Sequence, residues 1–396
     1  MWYSWLIYAV LFCTYIGLAL GRLPVLRMNR AAIALVSSAI LIGLGAISLQ
    51  SAWQAIDPNT IIFLLSMMIV NTSLSYGGAF PVILSYLVRI TRSAFSLLCI
   101  LTFGVGLLSA FLLNDTLALV ATPLVIHITD ALKLNPIPYL LSMAAATNIG
   151  SLATLSGNPQ NILIASFSQI SYQQFAWTMT PIAVIGLLLQ ILWLVILYPE
   201  VRSLSPFSHK PEIDATIFRP LFYKSIVITG CLFIAFIIGL PLAECSLVAA
   251  SLLLVTRRLR TERFLSRVDW SLLVLFSGLF ILTRVIQNLQ VLEQFTPLIK
   301  AKIGLISLVT IASNLISNVP TVLLVQPLIR PEDTQAWLLL SASSTLAGNL
   351  TLFGAVANLI TIESAQKAGH QLNFWVHLQF GLPLTVVTLG IAYWLL

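Results

Sequence analysis

The sequence predicts an all-α polytopic membrane protein. It reads as two inverted-topology repeats, each with a re-entrant helical hairpin and a broken transmembrane helix, giving about ten spanning helices plus two hairpins. Three observations carry this. The chain is 59% hydrophobic and only 8% charged, where a soluble domain carries roughly 25% charged residues. The octapeptide Thr154-Leu155-Ser156-Gly157-Asn158-Pro159-Gln160-Asn161 recurs as Thr351-Leu352-Phe353-Gly354-Ala355-Val356-Ala357-Asn358, with Thr, Leu, Gly and Asn matched at an interval of 197 residues. Finally, each half holds a polar cluster between two apolar arms.

Apolar stretches of roughly bilayer length lie at 2–20, 31–49, 59–76, 176–198, 219–239, 241–256, 269–288 and 374–395. Two longer ones, 137–168 and 336–368, contain the octapeptides and are expected to be broken helices, because Gly, Pro and Asn interrupt backbone hydrogen bonds that lipid does not replace. The start of the chain has no basic n-region or cleavage site, so 2–20 is expected to remain a helix. Ala79–Arg92, apolar on one face, suits an interfacial amphipathic helix. Cys13, Cys99, Cys231 and Cys245 stand singly, without C-x-x-C spacing, and read as packing residues.

The remaining apolar regions, 94–129 and 303–329, are the expected hairpins. Their tips read Asn114-Asp115-Thr116 and Ser317-Asn318-Val319-Pro320-Thr321, and the two align at an interval of 203 or 204 residues. Irregular backbone at mid-depth is tolerated only inside protein or beside a wet cavity. The polar stretch 200–218, a cytoplasmic linker with His209, Lys210, Pro211, Glu212 and Asp214, divides a first repeat (1–199) from a second (219–396). Five crossings per half, an odd number, insert the second half from the opposite face.

The net charge of +7 reflects orientation and not a nucleic-acid surface. With both termini outside (periplasmic), sixteen of the twenty Lys and Arg, including Arg30, Arg257, Arg258 and Arg267, fall in cytoplasmic connections of an inner or plasma membrane protein.

Four segments then resemble a known family: NDTLALVATP from Asn114, NIGSLATLSGNPQN from Asn148, SNVPT from Ser317 and AGNLTLFGAVAN from Ala347. Together they resemble the ion transporter superfamily, in particular its arsenite permease, anion permease and sodium/proton antiporter-like branch, which carries a citrate transporter-like domain and is related to the divalent anion/sodium symporters. The resemblance implies a homodimer with a scaffold and a mobile transport domain that moves as an elevator. It also implies hairpin tips and helix breaks that converge on one substrate site flanked by cation sites. Carried over by position, Asn114, Asp115 and Thr116 form one tip, and Ser317, Asn318 and Thr321 the other. The symporter branch has Ser-Asn-Thr at both tips, and this chain departs from that pattern.

A broken helix offers free N–H groups at one end and free C=O groups at the other, suited to anions and Na⁺ respectively. Asn148, Ser151, Thr154, Gly157, Asn158 and Asn161 are the candidates at the first break, and Asn349, Thr351, Gly354 and Asn358 at the second. Asp115 is the one acidic residue expected at mid-depth, and an isolated carboxylate there takes up a proton or a cation. Asp115 and Asn158 are the candidate Na⁺ ligands. Capping and helix-to-helix packing are the plainer roles for the same Ser, Thr and Asn side chains. Arg284 either faces the site, against an anion or Asp115, or snorkels to the interface. His127 reads as packing more than as a proton relay.

The expected function is secondary active transport of a small anion or oxyacid (arsenite-like, inorganic or carboxylate), coupled to H⁺ or Na⁺. The alternative is a sodium/proton antiporter that moves no anion. No cofactor is expected beyond the coupling ion. The expected partners are the lipid bilayer, a small inorganic or organic ion and a second copy. With no G-x-x-x-x-G-K-[ST] motif, use of ATP would need a separate ATPase subunit. An intramembrane enzyme is a distant reading, because protease signatures such as His-Glu-x-x-His are absent.

Overall fold

Among the described residues, nine helices start at a side chain that caps them. Asn29, Ser48, Asp57, Ser93, Asn158, Ser171, Asp269, Asp333 and Asn373 each accept a backbone N–H of the following first turn. The computed structural model describes residues 2–23, 27–207, 217–256 and 260–396. The linker residues His209, Lys210, Pro211, Glu212 and Asp214, and the basic residues Arg257 and Arg258, lie outside the described residues.

The first half comprises α1 (Trp2–Leu20), a two-residue ribbon of β1 (Arg22–Leu23) against β2 (Met28–Asn29), α2 (Arg30–Gly43), α3 (Leu49–Ala55), α4 (Pro58–Gly77) and α5 (Ala79–Arg89). The hairpin α6 (Ala94–Phe111) and α7 (Asn114–Ala131) follows, then the broken pair α8 (Ile137–Ser151) and α9 (Pro159–Phe167), then α10 (Tyr172–Leu197). The second half comprises α11 (Arg219–Ile237), α12 (Leu242–Leu254), α13 (Thr261–Leu265), α14 (Trp270–Asn288) and α15 (Thr296–Ile299). It continues with the hairpin α16 (Lys302–Ile316) and α17 (Asn318–Val325), the broken pair α18 (Thr334–Ala347) and α19 (Val356–Lys367), and α20 (Phe374–Leu395). Among the described residues six helices are long and apolar enough to cross a membrane: α4, α6, α10, α11, α14 and α20.

One expected span is corrected. The stretch 31–49 is not a single helix: α2 ends at Gly43, Gly45 turns with φ 75°, and Ser48 starts the separate α3. A left-handed glycine just past a helix end is a strong stop, and here it outweighs the continuing apolar run.

Packing divides the helices into two groups. In one, α2 packs on α14, α12 on α4, α1 on α2 and α11 on both α4 and α12. At the α2–α14 crossing Gly278 leaves no room for a side chain, since a Cβ there would stand 2.8 Å from that of Ala34. Ser38 Oγ donates across the same crossing to Gly278 O at 3.1 Å. In the other group, α6 packs on α8 and α16 on α18, with α10 and α20 against the broken helices. Each hairpin's second arm also lies on the other half's broken helix, α7 on α19 and α17 on α9. These reciprocal pairs are what a pseudo-two-fold axis between inverted repeats produces.

Candidate functional site

The repeated octapeptide is a closure for the break. At the first copy, Asn161 Nδ2 donates to Ser151 O (3.1 Å) and Thr154 O (2.9 Å). At the second, Asn358 Nδ2 donates to Gly348 O (2.8 Å) and Thr351 O (3.1 Å), with the same sequence separations. The conserved spacing of Gly is explained by the same carbonyls. A Cβ on Gly157 would stand 2.3 Å from Ser151 O, and one on Gly354 2.8 Å from Gly348 O. The threonines tie the break to the hairpin's first arm: Thr154 Oγ1 donates to Ala110 O, and Thr351 Oγ1 to Asn314 Oδ1 at 2.9 Å. The second arms of the two hairpins begin at Asn114 and Asn318, which pairs these residues at the interval of 204.

Further side chains occupy the carbonyl end of the second break. Leu346 O accepts from Thr385, Ala347 O from Asn314, Gly348 O from Asn358 and Asn349 O is bonded by His377 Nε2 at 3.1 Å. Gly381, one turn after His377, lets α20 close on this carbonyl, since its Cβ would stand 2.1 Å from Asn349 O. The two breaks are also bonded to each other. Asn148 Nδ2 donates to Asn349 Oδ1 (2.9 Å) and reaches Asn358 Oδ1 (3.4 Å), Ser341 Oγ donates to Asn161 Oδ1 (2.7 Å), and Asn158 and Gln160 both reach Thr345 Oγ1 at 3.3 Å. Several of the carbonyls expected to be free for a cation thus accept hydrogen bonds within the protein.

The N–H ends differ. Asn158 Oδ1 caps α9 through Asn161 N (2.8 Å), and Pro159 at its first position has no N–H. In the second copy Ala355 stands in place of Asn158, and α19 starts with no side-chain cap.

Both hairpin tips meet both of these N-terminal ends. A cavity of 130 Å³ is lined by Asn114 and Asp115 of the first tip, Ser317 and Asn318 of the second, Pro159 and Gln160 of α9, Ala355 and Val356 of α19, and Arg30 of α2. A second cavity of 350 Å³ shares Asp115 and Pro159 and extends past Thr116, Tyr76 and Leu119 to Arg267 and Asp269, which are exposed. The Asp115 carboxylate has no hydrogen bond or ion pair among the described residues. Ser317 joins α16 to α17 alone, with φ 82° and ψ 159°, a backbone that costs a non-glycine residue about 1–3 kcal/mol. Such strain is concentrated at functional sites.

Of the candidates, the structure brings Asn114, Asp115, Thr116, Ser317 and Asn318 to these cavities. Thr321 sits one turn behind the second tip, its Oγ1 donating to Ser317 O at 2.9 Å. Asn148, Ser151, Asn158, Asn161, Asn349 and Asn358 are buried in the break network, as is Thr154, while half-buried Thr351 is tied to its hairpin through Asn314. Arg284 and His127 are exposed and line neither cavity.

Sequence reading missed Arg30, counted with the cytoplasmic connections, and His377, whose contact with the break depends on how α20 folds back. The one sequence signal for His377 is its i, i+4 spacing with Gly381 and Thr385 on one helix face.

Residues 15–336 match the family described as Citrate transporter. The chain is 30% identical to the silicon efflux transporter LSI3 of Oryza sativa subsp. japonica, over 93% of this chain and 92% of that one. It is 23% identical to the putative transporter arsB of Dictyostelium discoideum, over 97% of this chain and 89% of the relative. Among solved structures, the Alcanivorax borkumensis YdaH transporter shares the fold at a TM-score of 0.66 and 15% identity, covering 99% of this chain and 96% of that one. The chain belongs to the citrate transporter family of integral membrane transporters.

Proposed function

We propose that this protein is a secondary active transporter of a small oxyacid or its anion, coupled to H⁺ through Asp115. One observation carries the reading: two hairpin tips and two half-helix N-termini line a single cavity that holds an unpaired carboxylate. N–H ends and amides suit the oxygens of an oxyacid, and a carboxylate without a partner is suited to bind and release a proton. H⁺ is taken as the coupling ion because Asp115 is an unpaired carboxylate on this cavity, while several break carbonyls suited to Na⁺ accept hydrogen bonds within the protein. The rice relative is named a silicon efflux transporter, which agrees with export of a small solute.

The two packing groups supply an elevator. The group of α2, α4, α12 and α14 acts as scaffold. The hairpins and broken helices, cross-linked to each other at Asn148–Asn349 and Ser341–Asn161, move as one body against it. With the termini outside, the 350 Å³ cavity opens to the cytoplasm beside Arg267 and Asp269, which places the carrier ready to load from inside. A homodimer in the inner or plasma membrane completes the reading.

A second reading is a sodium/proton antiporter. It is favoured by the presence of two carboxylates, Asp115 and Asp269, on the larger cavity. Proteoliposome flux separates the two. Arsenite, silicic acid, phosphate, sulfate and citrate are offered under an imposed pH or Na⁺ gradient. The primary reading expects accumulation of an oxyacid driven by the pH gradient. Na⁺/H⁺ exchange that proceeds equally in the absence of every solute would replace it with the antiporter.

A further inference from the structure

Arg30 begins α2, on the scaffold side, and its Nε donates to Leu18 O at 3.1 Å. That bond anchors the guanidinium stem to the end of α1. Among the described residues Arg30 has no carboxylate within 4.0 Å, although Asp115 lines the same 130 Å³ cavity. Two opposite charges thus face one cavity without touching. The uncapped start of α19, at Ala355 and Val356, and Asn318 line the same cavity. Asn318 is 8% exposed, and its Oδ1 has no hydrogen-bond partner among the described residues. A buried amide oxygen left unsatisfied costs free energy unless a ligand or water donates to it.

We propose that Arg30, the α19 N-terminus and Asn318 form an oxyanion subsite for a singly deprotonated oxyacid. The inference rests on the transport reading above and names its substrate form. The charged oxygen of the ligand accepts from the Arg30 guanidinium and the free α19 N–H groups, a pairing of cation, helix end and anion. A hydroxyl left on the same ligand donates to Asn318 Oδ1 or to the Asp115 carboxylate. A dianion faces the Asp115 carboxylate with more like charge than a monoanion does, and one without a hydroxyl, such as sulfate, has nothing to donate to Asn318. A neutral acid forgoes the interaction with Arg30. The pattern of donors and acceptors therefore selects the monoanion.

Arg30 belongs to the scaffold, while the tips and α19 belong to the moving group. The guanidinium thus completes the subsite in this arrangement and is left behind when the group moves. Anion affinity is then higher on the side shown here than on the opposite side.

The test uses the full chain, purified and reconstituted, with inorganic phosphate and arsenate near pH 6 as monoanion probes and silicic acid as the neutral probe. Arg30→Gln removes the charge. Ala355→Asn supplies α19 with the cap that Asn158 gives α9, and it competes with the ligand without altering charge. Each variant is expected to weaken monoanion binding about tenfold, the scale of one charge-assisted contact, and Arg30→Gln is expected to weaken monoanions more than it weakens silicic acid. Ala355→Asn should keep or raise thermal stability, which separates lost binding from lost folding. Unchanged monoanion affinity in both variants overturns the subsite, as does a wild type that binds neither monoanion. If wild-type vesicles transport an oxyacid under a pH gradient and these variants still bind monoanions normally, the subsite fails and the transport reading stands.

Discussion

Asn161 and Asn358, separated by 197 positions in the sequence, make the same two hydrogen bonds to the same pair of carbonyls at ten and seven residues' separation. The repeat is thus a matched pair of closures for two interrupted helices, and the tip cavity lies beside them. Lipid offers no substitute donor for those carbonyls. Replacing either asparagine by alanine should cost about 1–3 kcal/mol, the penalty for a buried polar group left without its partner. Thermal unfolding of purified Asn161→Ala and Asn358→Ala should show similar losses. A large loss in one and none in the other would contradict the equivalence.

The two glycines differ in how tightly they are held. Gly157→Ala places a methyl 2.3 Å from a carbonyl oxygen and Gly354→Ala places one at 2.8 Å. Overpacking of this kind costs about 1–3 kcal/mol, and Gly157→Ala should be the more damaging. Midpoints from the same unfolding assay rank them, and the reverse order would rule out this packing account.

His377 holds the second break from outside the repeat. His377→Phe removes the bond to Asn349 O while keeping a ring of similar bulk. His377→Gln, able to donate, should recover part of the stability lost. Equal losses in both variants would show that the ring's packing matters and the hydrogen bond does not.

Much of this architecture is legible in the sequence because its signals are local. Low charge and apolar length mark the helices, and Pro159 behind Asn158 marks a helix start. The polar tips mark the hairpins, and the tip cavity indeed gathers Asn114, Asp115, Ser317 and Asn318. The asymmetry between the two copies reads differently in three dimensions. By sequence both candidate Na⁺ ligands, Asp115 and Asn158, fall in the first half, and Asn158 stands in the polar copy Asn158-Pro159-Gln160. In the structure Asn158 spends its oxygen capping α9, and the apolar second copy is the one that leaves a helix end uncapped. Polarity along the chain does not reveal whether a polar group is already bonded. Arg30 was equally hidden, because nothing in its neighbours tells a loop arginine from one facing an internal cavity. The break at Gly45 was overlooked because apolar residues continue on both sides of it.

The cross-link between the broken helices should also be measurable. Asn148→Leu removes the bonds to Asn349 and Asn358 and would leave their buried amides short of partners. It should loosen the moving group against itself, seen as faster hydrogen exchange at both breaks. Faster exchange confined to the first break would contradict one rigid body.

The central claim is that Asp115 carries the coupling proton in the cavity where the tips and helix ends meet. Its most direct test is oxyacid accumulation in proteoliposomes under an imposed pH gradient, comparing wild type with Asp115→Asn. The account predicts that the variant folds and still equilibrates the oxyacid but no longer concentrates it. Undiminished gradient-driven accumulation in Asp115→Asn would contradict it.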